Sequence, residues 1–397
     1  MGRPMTPPRA MPDVQLLCSG VALFPSLIQA IHQAQHEVLL ETYIFDFEGA
    51  GGDVARALMA AAQRGVRVQL VVDGVGTGAL PAVWSQRLAQ AGVQCRVYAP
   101  LGGLGFWLPS RWRRLHRKLC VVDGAVAFCG GINILDDFID PNVPSGLTQP
   151  RLDYAVRVTG PLVAAMHDTM MQLWSRIEAV RELRSQDIAG ALDALRSVDQ
   201  GVKLPVRGPL TLVLRDNVRH RTQIERVYRK ALAGAHHEVT VASAYFFPGM
   251  RLRRALVMAA RRGVRVRLLL QGKYEYFVPY RASRQLYGRL LAAGVEIYEY
   301  QASVLHAKVA VVDGRWATVG SSNLDPFSLL LAREANVVVR DAEFAQTLQN
   351  HLMQAITVGA VQVDPQHFAD RPWWQRGVDW AAFVVLRFGI FLTGKRY

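Results

Sequence analysis

Cysteine is scarce in this chain: four residues in 397, Cys18, Cys95, Cys120 and Cys129, with no C-x-x-C pair. That usage excludes the dense disulfide framework of a small secreted domain and fits a reducing cytoplasm. Long apolar runs are also missing. The opening MGRPMTPPRAMPDV has no hydrophobic region of the kind a signal peptide needs, and no uncharged apolar run reaches 18 residues. The protein is therefore expected to remain inside the cell without spanning a membrane. Acidic residues are in short supply, 32 against 46 Lys and Arg, which leaves a net charge of +14 and a pI near 10.0. Fold stability does not require such an imbalance; a polyanionic partner does, and nucleic acid and an anionic membrane surface are the two candidates. With 51% hydrophobic and 20% charged residues, the chain is built to bury a core and disorder is excluded as its default.

What is present is repetition. His36-Glu37-Val38 leads an apolar strand to Tyr43, and His237-Glu238-Val239 leads another to Tyr245. Gly65-Val66-Arg67-Val68 returns as Gly263-Val264-Arg265-Val266, Ala91-Gly92-Val93 as Ala293-Gly294-Val295, and LHRKLCVVDG at 115–124 as LHAKVAVVDG at 305–314. Order and approximate spacing hold across all four landmarks, which marks a duplication. Within each copy short β-branched strands alternate with amphipathic helical patterns, so the expected fold class is α/β: two duplicated α/β/α lobes related by a pseudo-twofold axis. The expected organisation is a tail at 1–12, a first lobe at 13–185, a linker at 186–207, a second lobe at 208–355 and a basic, aromatic tail at 356–397.

The copies differ in one span. Gly92 to His116 is 24 positions and Gly294 to His306 only 12, so the first lobe carries an insertion within PLGGLGFWLPSRWRR. Its Phe106, Trp107, Trp112, Arg111, Arg113 and Arg114 suit a loop touching anionic headgroups, or an ordinary solvated basic loop. At the C-terminus Trp373, Trp374 and Trp380 precede AAFVVLRFGIFLTG, interrupted by Arg387 and Gly389 and closed by Lys395 and Arg396. This segment is too short to span comfortably and reads either as an interfacial anchor or as a last helix docked on the core.

The chemistry lies in a repeated pattern, H-x-K-x4-D-x6-G-(G/S)-x-N. The first copy is His116, Lys118, Asp123, Gly130, Gly131 and Asn133; the second is His306, Lys308, Asp313, Gly320, Ser321 and Asn323. Residues two apart on a strand face one side, so each copy presents an imidazole and an ammonium together. Transfer at a phosphodiester needs a nucleophile, a proton donor for the departing oxygen and positive charge on the phosphoryl oxygens. Two His and two Lys supply those parts at one site, through a covalent phosphohistidine. Asp123 and Asp313, five residues past each Lys, are expected to order the turn before Gly124 and Gly314. Asn133, Asn323, Ser321 and Ser322 suit hydrogen bonds to phosphate oxygens or to the lysines. No metal or other cofactor is implied, because Lys beside His spoils a ligand pair and no H-E-x-x-H or Cys/His cluster occurs.

LHRKLCVVDGAVAFCGGIN and LHAKVAVVDGRWATVGSSNLD resemble the paired HKD motifs of the phospholipase D superfamily. Within it, HRK with GGIN and GSSNLDP resemble the bacterial cardiolipin synthases, the shorter B type in particular, over roughly residues 13 to 355. The resemblance implies that Asp153 in RLDYAVRVTGP and Glu334 in REANVVVRD hydrogen-bond a catalytic His, and it points to His116 as the attacking ring. Two departures stand out: Gly131 where the broad superfamily has Ser, which the B type shares, and Ala332 where the synthases usually have Asn. The resemblance implies phosphatidyl transfer between two phosphatidylglycerol molecules at the cytoplasmic face of the membrane, with the protein bound peripherally. Phospholipid hydrolysis by the same residues, a nuclease of the same superfamily, and a basic tethering protein with inactive motifs are the alternatives.

Overall fold

The computed structural model describes residues 13–100, 113–139, 146–184, 208–216, 222–273, 277–325 and 332–392. The tail at 1–12, the linker at 186–207, and Phe106, Trp107, Arg111 and Trp112 of the inserted loop lie outside the described residues.

The first lobe runs β1 (Val14–Cys18), α1 (Ser19–Gln33), β2 (Glu37–Thr42), α2 (Gly49–Gln63), β3 (Arg67–Asp73), α3 (Ala82–Gln90) and β4 (Gln94–Tyr98). It continues with β5 (Arg114–Leu115), β6 (Lys118–Val122), β7 (Val126–Gly130), β8 (Tyr154–Thr159) and α4 (Pro161–Arg184). The second runs β9 (Leu210–Arg215), α5 (Gln223–Ala233), β10 (Glu238–Ser243), α6 (Met250–Arg261), β11 (Arg265–Gln271), α7 (Phe277–Leu291) and β12 (Glu296–Tyr300). After it come β13 (Lys308–Val312), β14 (Trp316–Gly320), β15 (Ala332–Val339), α8 (Ala342–Gly359), β16 (Ala360–Gln362), α9 (Pro365–Ala369) and α10 (Trp373–Leu392).

The first sheet has the order β1-β8-β7-β6-β2-β3-β4, and the second repeats it as β9-β15-β14-β13-β10-β11-β12. β5 crosses from the first lobe to pair with β15, and β16 extends the second sheet beyond β12. In both sheets the crossover strands are parallel and the motif strands are antiparallel. The duplication seen in the sequence is thus a duplication of topology.

Strand alternation sorts the side chains into layers. Val38 and Leu40 of β2 face outward, onto Leu27 and Ile31 of α1 and Leu58 of α2. Leu39 between them faces inward, into a core shared by both lobes that contains Met166 and Met170 of α4 and Leu348 and Leu352 of α8. The second sheet repeats the division, with Val239 and Val241 under Tyr228, Leu252 and Leu256. Each such aliphatic side chain contributes about 1.5–3 kcal/mol by leaving water. The shared core therefore fixes one sheet against the other, which the site between them requires.

The C-terminal segment docks on the second lobe. Ala382 and Leu386 of α10 pack with Ala282 and Leu286 of α7 and with Phe247. Buried Asp379 receives Arg371 at 2.7 Å and Arg281 at 3.2 Å. The opposite side of α10 is left open: Trp373 is 84% exposed, Trp380 59% and Phe388 61%. Among the described residues no helix is long and apolar enough to cross a membrane.

Candidate active site

Each histidine stands at the mouth of a fully buried strand. Lys118-Leu119-Cys120-Val121-Val122 has all five residues buried, as does Lys308-Val309-Ala310-Val311-Val312, so the strand is anchored from both faces and its first residues cannot wander. Each strand then turns through an Asp-Gly pair with positive φ, Asp123 (50°) with Gly124 (60°) and Asp313 (49°) with Gly314 (58°). Positive φ at both central residues closes a tight turn, with Ala125 N–H donating to Val122 O at 3.0 Å and Arg315 N–H to Val312 O at 3.1 Å, inside loops of three residues between the pairs Val122–Val126 and Val312–Trp316. The Asp123 carboxylate accepts the backbone N–H groups of Gln35, His36 and Glu37, each at 2.8 Å, and Asp313 does the same for His236, His237 and Glu238. Both aspartates therefore sit at the far end of the strand from the histidines and tie the hairpin to the start of β2 or β10.

The carboxylates cross between lobes. His116 Nδ1 lies 3.0 Å from Glu334 of the second lobe, and His306 Nδ1 lies 2.6 Å from Asp153 of the first. The backbone crosses as well: His116 N–H donates to Arg333 O at 3.1 Å and His306 N–H to Leu152 O at 2.9 Å. An Nδ1–H given to a carboxylate fixes the tautomer with a lone pair on Nε2, the atom left for attack or proton transfer. Both rings are 16% exposed, enough for a reacting group to reach them.

Burial governs the charges. It lowers the pKa of His116, although Glu334 opposes it, and holds His306 well below its ordinary value with the help of Lys308 and Lys118. Burial likewise brings Lys118 down to about 7, against the pull of Glu334, and pushes Asp153 up to about 6, against Lys308. Lys118 Nζ donates to His116 O at 2.7 Å and stands 5.4 Å from the centre of the Tyr43 ring; Lys308 donates to His306 O. Two imidazoles, two lysines and two acids form one coupled cluster with little water to screen it.

The remaining motif residues support this cluster. Ser321 Oγ donates to Glu334 at 2.5 Å, and Glu334 is fully buried, so the hydroxyl secures a carboxylate that water does not reach. Ala332 removes a side chain from the start of β15, where its carbonyl accepts Arg215. A Cβ on Gly131 would overlap the Asp153 carboxylate. Asn133 Oδ1 accepts Ile44 N–H at 3.3 Å and Asn323 Oδ1 accepts Tyr245 N–H at 3.4 Å, steadying the backbone that follows β2 and β10.

Several residues outside the motifs also position the site. Asp73 at the end of β3 accepts Leu115 N–H at 2.7 Å and Arg114 at 3.2 Å, and Gln271 in the same place on β11 accepts Leu305 N–H at 3.3 Å. Arg117, between the motif His and Lys, turns to the other side of the strand and pairs with Glu41 at 2.5 Å, both buried. The recurrence of D-G and Q-G after the third strand of each copy was the available signal for the first pair. The charge in H-R-K, absent from H-A-K, was the signal for the second.

A family model described as cardiolipin synthase, phospholipase D-like domain, matches residues 27–144 and again 228–356. Cardiolipin synthase B of Shigella flexneri is 39% identical over 381 residues, spanning 96% of this chain and 89% of the relative. A cardiolipin synthase of Halalkalibacterium halodurans is 30% identical over 365 residues, spanning 92% of this chain and 70% of the relative. Among solved structures, a phosphatidylserine synthase from Haemophilus influenzae superposes with a TM-score of 0.67 over 94% of each chain at 13% identity, a likeness of fold.

Proposed function

Since the chain belongs to the cardiolipin synthase family with phospholipase D-like domains, we propose that it is a phosphatidyltransferase which converts two phosphatidylglycerol molecules into cardiolipin and glycerol. The observation that carries the chemistry is the pair of histidines, each with Nδ1 held by the opposite lobe's carboxylate and Nε2 left over. One Nε2 attacks the phosphorus of the donor lipid. The P–O bond to glycerol breaks, and the second imidazole, protonated, gives its proton to the departing alkoxide. That second ring then removes the proton from the hydroxyl of the acceptor lipid, whose oxygen attacks phosphorus and releases the first ring.

The lysines supply the charge that a phosphoryl group gathers in its transition state. Both are buried, so their field is poorly screened and worth more than at the surface. Burial lowers the pKa of both imidazoles, and the anionic substrate supplies a field that favours protonation of one of them.

A bilayer substrate also calls for contact with a membrane surface, and we assign this to the exposed side of α10 on a peripheral protein at the cytoplasmic face. Trp373, Trp380 and Phe388 with Arg376 and Arg387 combine aromatic rings and cations as the headgroup layer prefers.

The test is incubation of the purified protein with phosphatidylglycerol vesicles and identification of the lipid products by mass spectrometry, beside His116→Ala and His306→Ala. The expected result is cardiolipin with stoichiometric glycerol, reduced at least about a thousandfold in either variant. Phosphatidic acid without cardiolipin would make the enzyme a hydrolase instead.

A further inference from the structure

The outer helices of the second lobe carry a charge that the first lobe lacks. α5 and α6 lie side by side over the sheet and enclose an open groove of about 530 Å³. Its cationic lining is Arg226, Arg229 and Lys230 from α5 and Arg251 and Arg254 from α6, over a floor of alanines and Met258, with no carboxylate in the lining. None of the five side chains makes an ion pair or a hydrogen bond among the described residues, and all but Arg229 are exposed. In the first lobe the equivalent helices are α1, with no Lys or Arg, and α2, whose Arg56 is paired with Asp53 at 2.5 Å. The shared fold therefore does not need this charge.

Five cations facing one another across a groove repel. Such an array costs stability unless a partner supplies the opposite charge. The floor and rim are partly apolar, with Met258 47% and Met250 67% exposed, which suits a surface of anionic headgroups with acyl chains beneath better than a fully polar one. α10, with its exposed aromatic row, covers α7 in the same outer layer.

We propose that the α5/α6 groove is a docking surface for an anionic bilayer, separate from the catalytic cluster. It recruits the enzyme to membrane rich in acidic phospholipid. The proposal rests on the lipid-substrate reading and adds to it the place where headgroups other than the reacting ones are held.

The experiment compares the full-length protein with a variant carrying Arg226→Gln, Arg229→Gln, Arg251→Gln and Arg254→Gln, the two matched for melting temperature. The two double variants, one on each helix, serve if the quadruple one does not fold. Partitioning is measured by co-sedimentation with phosphatidylcholine vesicles with and without phosphatidylglycerol, binding of a duplex DNA by electrophoretic shift, and turnover on phosphatidylglycerol dispersed in nonionic micelles. At roughly fivefold per cation, the quadruple variant should partition about a hundredfold or more weaker onto the anionic vesicles. Its binding to neutral vesicles and its micellar turnover should be unchanged. Equal partitioning of variant and parent overturns the proposal, as does a loss confined to binding of duplex DNA. Failure of the lipid-substrate reading shows separately, as absence of micellar turnover by the parent.

Discussion

The two lobes hold equivalent histidines by different means. In the first, charge secures the strand: buried Asp73 grips Leu115 and Arg114, and Arg117 is locked to Glu41. In the second, neutral Gln271 takes the place of Asp73, and Ala307 and Ala242 stand where Arg117 and Glu41 would be, so packing serves instead. At the carboxylates the contrast reverses. Glu334 is fastened by the Ser321 hydroxyl, while Asp153 has only Gly131 in that place. Aspartate is one methylene shorter, so its carboxylate stays near its own backbone and fills the space a serine would take. Glutamate reaches farther and leaves that space for a hydroxyl. Substitutions between the copies therefore come as complementary pairs, and Gly131, which looks like a lost residue, is the partner of Asp153.

The strongest test of the comparison concerns the crossing. Asp153→Asn should lower turnover roughly a thousandfold by freeing the His306 ring, and Glu334→Gln should do the same for His116. Trapping of the phosphoenzyme by an alkaline denaturing quench, in which a phosphohistidine survives, shows which histidine each change disables. Asp153→Asn is expected to copy His306→Ala; if it copies His116→Ala, the crossed pairing is wrong.

A middle-sized effect is expected from making one half-site resemble the other. Gly131→Ser forces a side chain into the Asp153 carboxylate and should cost about 1–3 kcal/mol of stability, seen as a drop of a few degrees in Tm, with turnover down about tenfold to a hundredfold. Gly131→Ser combined with Asp153→Glu reproduces the second lobe's pair and should recover most of both losses. A double-mutant cycle with purely additive effects would remove the argument for complementarity.

The smallest effect is in pH. Burial lowers the Lys118 pKa to about 7, so its ammonium is present below that pH and lost above it. Because that charge acts on the transition state, kcat should fall severalfold between pH 7 and 9 while KM moves less. Lys118→Arg, charged throughout, should flatten that limb. A kcat independent of pH over that range in the parent would show that Lys118 does not act on the phosphoryl group by its charge.

Much of this was legible in the sequence because the chain states it twice. A single His-x-Lys could be accidental, but H-x-K-x4-D recurring among the Gly-Val-Arg-Val and Ala-Gly-Val landmarks fixed both the lobes and the motif residues. The division of Val38, Leu39 and Leu40 between two cores was not readable, since all three are apolar, as a strand buried on both faces requires. Nor was the crossing. Asp153 and Glu334 each follow their own motif in the chain, and nothing periodic indicates that each serves the histidine of the other copy. The tail was ambiguous for a different reason: α10 is apolar on both sides, so its pattern could not separate the face held by Ala382 and Leu386 from the face bearing Trp380 and Phe388.

The crossed carboxylates also impose an order on the birth of activity. His116 and the acid that orients it lie 218 positions apart in the chain. At about 5–20 residues per second of synthesis, the first histidine leaves the ribosome roughly ten to forty seconds before its partner exists. Through that interval the first lobe carries an imidazole whose carboxylate partner has not yet been made, so the proposed chemistry has no complete site until the second lobe has closed over the first.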